Sequence, residues 1–260
     1  MLYGNLRWID VEFLDKDNTV VVCPLASLEQ HGHHLPLLTD TYLVTAVAER
    51  VHEKFDDSMV LMPTLWLGAS DHHLDFPGTV SVPEDDYIDV IKAITTSLVN
   101  AGFWKVLFLN GHGGNVPPAE VAISQTADES DICNEAYIAL ASYWAVAADS
   151  MAAENHGMTQ ASLQHACEYE TSLMLHLHKS VVVMESAVGY NGSDPPVPPG
   201  VKLAGRFNMK SETGALGSPE LATEEKGKSL LDAVVKDVGS LVKDMIAWPV
   251  REVLGPLDPE

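Results

Sequence analysis

Short apolar runs alternating with amphipathic stretches constrain this chain more than any other feature. Residues 19–25 (Thr-Val-Val-Val-Cys-Pro-Leu), 59–66 and 105–109 are apolar at nearly every position, bounded by polar loops, and too short for a typical helix. Such runs bury both faces, the pattern of parallel strands covered by helices. Between them, Leu43, Ala46, Val47 and Val51 keep one face of a helix from about 40 to 54. Tyr87, Ile88, Ile91, Ile94 and Leu98 do the same in a second helix, which stops near Gly102. Ser-Val-Pro-Glu at 81–84 has the spacing of a capping box for its start.

Further along, Val-Pro-Pro at 116–118 opens another helix, and 137–144 is a fourth strand candidate. Residues 166–178 read as a helix and 181–184 as a short strand. Glycine and proline dominate 191–217, a long loop in which 194–200 is too stiff for either regular element. Ser218-Pro219 starts a final helix with Leu221, Leu231, Val234, Val235, Val238, Leu241 and Met245 on one face. The expected fold is α/β: a single-domain, three-layer αβα sandwich around a mostly parallel sheet, spanning 1–260.

Composition narrows the function classes. With 260 residues, 46% of them apolar, the chain is long enough for one large core. Its 15 Lys and Arg against 37 Asp and Glu give a formal charge of -22, a field that repels nucleic acid and anionic membranes. Neither is expected as a partner. Cys23, Cys133 and Cys167 are odd in number and widely spaced, as reduced thiols of an intracellular protein are. No signal peptide or bilayer-length apolar stretch is evident, so a cytoplasmic location is the expectation.

Chemistry concentrates where strands end. Glu-Gln-His-Gly-His-His at 29–34 follows the first strand, and on an extended backbone Glu29 and His31 face the same side. Asp40 lies nearby, either a further ligand or a cap of the following helix. Asn-Gly-His-Gly-Gly-Asn at 110–115 joins the third strand to a helix. It matches no nucleotide-binding signature, so its glycines are read as giving room around a ligand that His112 contacts. His165, Glu168 and Glu170 stand at the start of the 166–178 helix, where the dipole alone accounts for one of the two carboxylates. His72 and His73 lie in a polar loop, 70–79, as pocket-lining candidates.

Taken together, the Glu-Gln-His-Gly-x-His segment, Asp40, Phe-Pro-Gly-Thr at 76–79, the 110–115 turn and the 165–172 segment resemble the creatininase (creatinine amidohydrolase) family over nearly the whole chain. The resemblance implies an αβα domain with two divalent metal ions at strand carboxyl ends, in a homohexamer. It places Glu29 and His112 on one ion, His31 and Glu170 on the other, and Asp40 as the bridge. Such ligands suit zinc, with manganese or iron as further options. Two ions sharing a hydroxide would hydrolyse an amide without a side-chain nucleophile. His165 is then the residue that stabilises the oxyanion, transfers a proton, or supports Glu170.

Where the chain departs from true creatininases, the substrate is affected. They carry a glutamate at the position of Gly114 and a second pocket tryptophan near Gln164, where 161–163 here is Ala-Ser-Leu. Trp144 matches an aromatic of their pocket. Creatinine is therefore expected to be a poor substrate, and Gly114→Glu is expected to improve it. Gly113-Gly114 looks more like the wider family, which includes deformylases of formamidopyrimidine intermediates and a peptidase that matures a peptide-derived cofactor. The leading expectation is hydrolysis of a C–N bond in a small cyclic or formyl amide. Beside it stand the cofactor-maturing peptidase and, from another class, a non-catalytic metal-binding scaffold.

Overall fold

The computed structural model describes residues 1–55, 57–192, 194–195, 197–198, 201 and 203–251. Its elements run in the order α1 (Trp8–Glu12), β1 (Val20–Leu25), α2 (Thr39–His52), β2 (Met59–Leu61), α3 (Glu84–Asn100), β3 (Lys105–Asn110), α4 (Val116–Glu129), α5 (Asp131–Glu135), β4 (Tyr137–Ser142), α6 (Tyr143–Val146), α7 (Ala153–His156), α8 (Glu168–His178) and α9 (Glu224–Ala247), joined by turns. The four strands form one sheet, ordered β2-β1-β3-β4, with every pairing parallel.

Alternation along the strands builds two cores. Val20 and Val22 of β1, with Leu107 and Leu109 of β3, pack on one face against α2, α8 and α9. Val21, Cys23 and Leu25, with Val106 and Phe108, pack on the other against α3 and α4. Each such side chain, removed from water, contributes roughly 1.5–3 kcal/mol. The expected three-layer αβα sandwich is the fold observed.

Several boundaries differ from the sequence expectation for local reasons. β2 ends at Leu61 because Pro63 has no N–H for the ladder, and only an isolated bridge from Leu65 to Leu25 continues it. Pro24 is tolerated in a central strand because its carbonyl accepts from Leu65 on the β2 side, where that ladder has stopped and needs no N–H from residue 24. The expected strand at 181–184 is instead a pair of 3-10 turns, Lys179–Val181 and Met184–Ser186, beside which Val183 N–H donates to the His34 carbonyl. Residues 81–84 form no capping box: Ser81 Oγ accepts from the Ser70 amide and donates to Asp71, and α3 begins without a side-chain cap. Ser218-Pro219 opens a separate 3-10 turn, Pro219–Leu221, and α9 starts instead at the Thr223 cap. β4 stops at Ser142, which places Trp144 on α6. Of the proline-rich stretch, residues 196, 199 and 200 lie outside the described residues.

α8 and α9 pack closely because Gly227 lies against the α8 backbone; a Cβ there would sit 1.8 Å from the Ser172 carbonyl oxygen. The three cysteines are buried and free. Among the described residues no helix is long and apolar enough to cross a membrane.

Candidate metal centre

The carboxyl ends of β1 and β3 open into one pocket, as expected for ligand sites in parallel sheets. Its volume is about 290 Å³, and Glu29, Asp40, His72, His73, His112, Gly113, Gly114, Trp144, His165 and Glu170 are among its lining residues. His31 lies beneath them, fully buried.

The backbone aims each polar side chain before any ligand arrives. Asp40 sits in the first turn of α2 but does not cap it; Ser27 Oγ donates to its Oδ2 at 2.8 Å. Its Oδ1 is 3.0 Å from His31 Nε2 and its Oδ2 is 3.0 Å from His112 Nδ1. His31 Nδ1 donates to the Glu29 carbonyl at 3.1 Å, which turns Nε2 to face Asp40. His112 Nε2 has the Ala69 carbonyl at 3.2 Å, which leaves its Nδ1 toward Asp40 in the same way. The Glu29 carboxylate is almost fully buried, with imidazole nitrogens of His73 and His112 at 3.3 Å, yet neither oxygen has a hydrogen-bond partner.

Glu170 is set by an unusual piece of chain. Ala166, buried and without the freedom of glycine, adopts φ +49°, and its amide donates to Glu170 Oε2 at 2.5 Å. α8 therefore begins at Glu168 rather than 166, and Glu170 projects from its first turn. Burial, reinforced by Asp40 and Glu29, pushes the Glu170 carboxyl up to about 8 against the opposing pull of His31 and the Ala166 amide. Burial opposes charge on His31, but Asp40, followed by Glu170 and Glu29, carries its pKa up to about 9. Such a centre calls for positive charge. Three groups offer ligand atoms within 4.8 Å of one another: Glu29, His31 and His165; Glu29, His72 and His112; and His31, Asp40 and Glu170.

His165 stands over Glu29 rather than Glu170. Its Nε2–H donates to the Gln30 carbonyl at 2.8 Å, and its Nδ1 is 3.6 Å from Glu29 Oε1. Burial, then the neighbouring His31, lowers its pKa to about 3. Glu168 does not join the pocket: it accepts from Thr159 and from Lys226 Nζ at 2.5 Å. His34 bonds Thr171 and His33 is exposed, so neither extends the ligand set.

Two contributors were not singled out as site residues from the sequence, Phe207 because it carries no periodic or motif signal and Gln30 although it lies within the 29–34 motif. Phe207, from the long loop, stacks on His73 at 4.4 Å and meets His165 edge-on at 4.7 Å. The Gln30 side chain donates to His73 Nδ1 at 2.8 Å and to the Gly214 carbonyl at 3.0 Å. That acceptor role at Nδ1 leaves the proton of neutral His73 on Nε2, facing Glu29.

Gly114 corrects one expectation. A Cβ there would lie 2.3 Å from the Ala69 carbonyl oxygen, 2.4 Å from His112 Nε2 and 2.7 Å from His72 Cε1. A glutamate has no room without moving backbone and a candidate ligand, so Gly114→Glu should harm the site rather than improve creatinine turnover.

Residues 4–242 match the family described as creatininase, creatinine amidohydrolase. The mycofactocin precursor peptide peptidase of Mycobacterium tuberculosis is 32% identical over 231 residues, covering 84% of this chain and 82% of that protein. The creatinine amidohydrolase of Pseudomonas putida is 26% identical over 256 residues, covering 93% and 95%. A solved manganese creatininase has a TM-score of 0.81 at 25% identity, covering 95% of this chain and 99% of its own.

Proposed function

This chain belongs to the creatininase family of hydrolases, and from its geometry we propose that it hydrolyses a C–N bond in a small cyclic or formyl amide at a centre of two divalent ions. Glu29 and His112 would hold one ion, His31 and Glu170 the other, and Asp40 both. The observation that carries this reading is the Glu29 carboxylate, buried with both oxygens lacking hydrogen bonds, beside two more buried carboxylates. The neighbouring imidazoles favour charge on Glu29 and Asp40, while Glu170 is pushed up, so the cluster as a whole still suits added positive charge. Zinc fits the mixed imidazole and carboxylate donors, as do manganese and iron.

When bound, the ions would supply Lewis acidity, polarising the amide carbonyl and lowering the pKa of nearby water. The chain supplies the rest. His165, neutral and with its Nε2–H tied to Gln30, presents Nδ1 as a proton acceptor. It takes a proton from the attacking water and returns it to the leaving nitrogen. His73, oriented by Gln30, and His72 beside it bound the space for the substrate, while Trp144 and Phe207 restrict water. Gly113 and Gly114 leave the floor open for the amide's close approach.

A volume of about 290 Å³ sits at the lower edge of small-molecule pockets, which favours a small amide over a long peptide. The second reading is a peptidase acting on a chain end. It rests on the 32% identity to the mycofactocin precursor peptide peptidase, against 26% to creatinine amidohydrolase. By the same family likeness the protein is read as a cytoplasmic homohexamer, which sedimentation at moderate salt would check; a monomer at every concentration refutes it.

Elemental analysis coupled to a hydrolysis screen of creatinine, formylated aminopyrimidines and short peptides tests the proposal. About two ions per chain, with turnover of one small-amide class, is the expected result. Cleavage of peptides alone selects the second reading. Metal bound without turnover of any class leaves a binding scaffold, and absence of metal after supplementation overturns the dinuclear centre.

A further inference from the structure

His72 and His73 are consecutive but held in different ways. They belong to the 3-10 turn Asp71–His73, pinned by the His73 amide donating to the Ser70 carbonyl at 2.9 Å and by Ser81 Oγ donating to Asp71. Successive side chains on so tight a turn point in different directions. His73 goes inward and is buried, with Gln30 occupying its Nδ1. His72 stays at the pocket wall, half-buried, its ring lying against that of His112 with centroids 5.7 Å apart and planes 18° from parallel. Among the described residues no hydrogen bond holds either nitrogen of the His72 ring.

Room for this ring comes from the 113–114 turn. A Cβ on Gly114 would lie 2.7 Å from His72 Cε1, so the missing side chain lets the imidazole lie over the turn within reach of Glu29. Glu29, His72 and His112 each then offer a ligand atom within 4.8 Å of the others, whereas His73, tied to Gln30, belongs to no such group. Burial lowers the His72 pKa, which keeps the ring in the neutral form that binds metal. We propose that His72 is a metal ligand: with Glu29, His112 and Asp40 it gives one ion four protein donors, while His31, Glu170 and Asp40 give the other three. The assignment rests on the two-ion reading only for the ion at Glu170. Four protein donors make a closed site and three an open one. The two ions are therefore held unequally, the tighter beside Glu29.

Cobalt(II) titration of the metal-free protein tests this, with each binding step read from the visible absorption of the cobalt and its affinity measured by competition with a chelator. Two steps of unequal affinity are expected for the unmodified protein. His72→Ala should weaken the tighter step by more than about a hundredfold, the upper figure for losing an outer-sphere partner, and should alter its absorption band. Glu170→Gln should weaken the other step instead, and His33→Ala, at an exposed histidine outside the pocket lining, should weaken neither. Melting of the metal-free proteins checks folding, and His72→Gln, which keeps the bulk but not the imidazole, should behave as His72→Ala does. A smaller loss in both His72 variants, or an unaltered band, overturns the assignment while the two-ion reading stands. A single step in the unmodified protein that disappears in His72→Ala removes the second ion and keeps His72 as a ligand. No cobalt bound by the unmodified protein overturns both.

Discussion

Glu168 and Glu170 are two residues apart in the first turn of α8, both buried, and their surroundings are opposite. On the α8–α9 seam, Glu168 receives hydrogen bonds from the Thr159 amide and hydroxyl and from Lys226. Burial alone would raise its pKa, but the hydrogen bonds from Lys226 and Thr159 bring it below the ordinary carboxylate value. On the pocket side, Glu170 is pushed up to about 8, and nearby Glu29 has no hydrogen-bond partner. The seam closes its electrostatics with protein groups. The pocket instead gathers three buried carboxylates, Glu29, Asp40 and Glu170, among imidazoles, a donor set that suits a bound cation. One carboxylate thus serves folding, and the other is a candidate ligand.

The largest effect expected from breaking this contrast is on the pocket side. Chelation, Asp40→Asn or His31→Ala should lower hydrolysis by more than about a hundredfold, the upper figure for losing a mere outer-sphere partner of a metal site. Thermal stability should fall with it, because metal held at this site would bind only the folded chain. Metal analysis and melting on the same samples check both; full activity after exhaustive chelation would contradict the centre.

The seam should respond the other way. Lys226→Met removes the partner of a buried carboxylate and should cost about 3 kcal/mol of stability while leaving metal content and turnover per folded molecule intact. Urea denaturation beside a metal assay decides it. The sign of the pH dependence follows from the lowered Glu168 pKa. Its contribution is present above the unfolded value near 4.3 and is lost as pH falls through the lower folded value. The stability gap between the wild type and Glu168→Gln should therefore be constant at neutral pH and shrink below about pH 4.3.

Smaller effects sharpen the pocket itself. Gly114→Ala should cost about 1–3 kcal/mol and weaken metal retention, since its methyl would press on Ala69 and His112. Gly113→Ala, with no atom within 4 Å of its Cβ position, should change stability by no more than about 0.5 kcal/mol. Equal melting temperatures for the two variants would show that the loop yields more readily than its contacts imply.

How much of this was legible beforehand depends on the range of the contact. The strand runs, the helix faces and the Glu29–His31 spacing are local patterns, and the sheet follows them. The run at 181–184 has the composition of a strand, yet in the structure it lies in turns, because composition fixes propensity and not a partner. Local pattern did not separate Glu168 from Glu170, which only the family resemblance told apart, for their fates turn on Lys226 and on Asp40, far along the chain. Phe207 gave no signal, since irregular backbone carries no period to read, and Gln30 lay inside a motif without any sign that its side chain would meet His73.

The sequence by itself determined the layered parallel fold and the stock of carboxylates and imidazoles at its strand ends, because hydrophobic periodicity and strand geometry act over a few residues. Only the tertiary structure decided which of those groups meet. Asp40 lies between His31 and His112, Ala166 bends into a left-handed conformation to hold Glu170, and Gly114 lies too close to Ala69 and His112 for a side chain. Each of these depends on segments distant in sequence being packed at fixed separations, and no local pattern encodes such a distance.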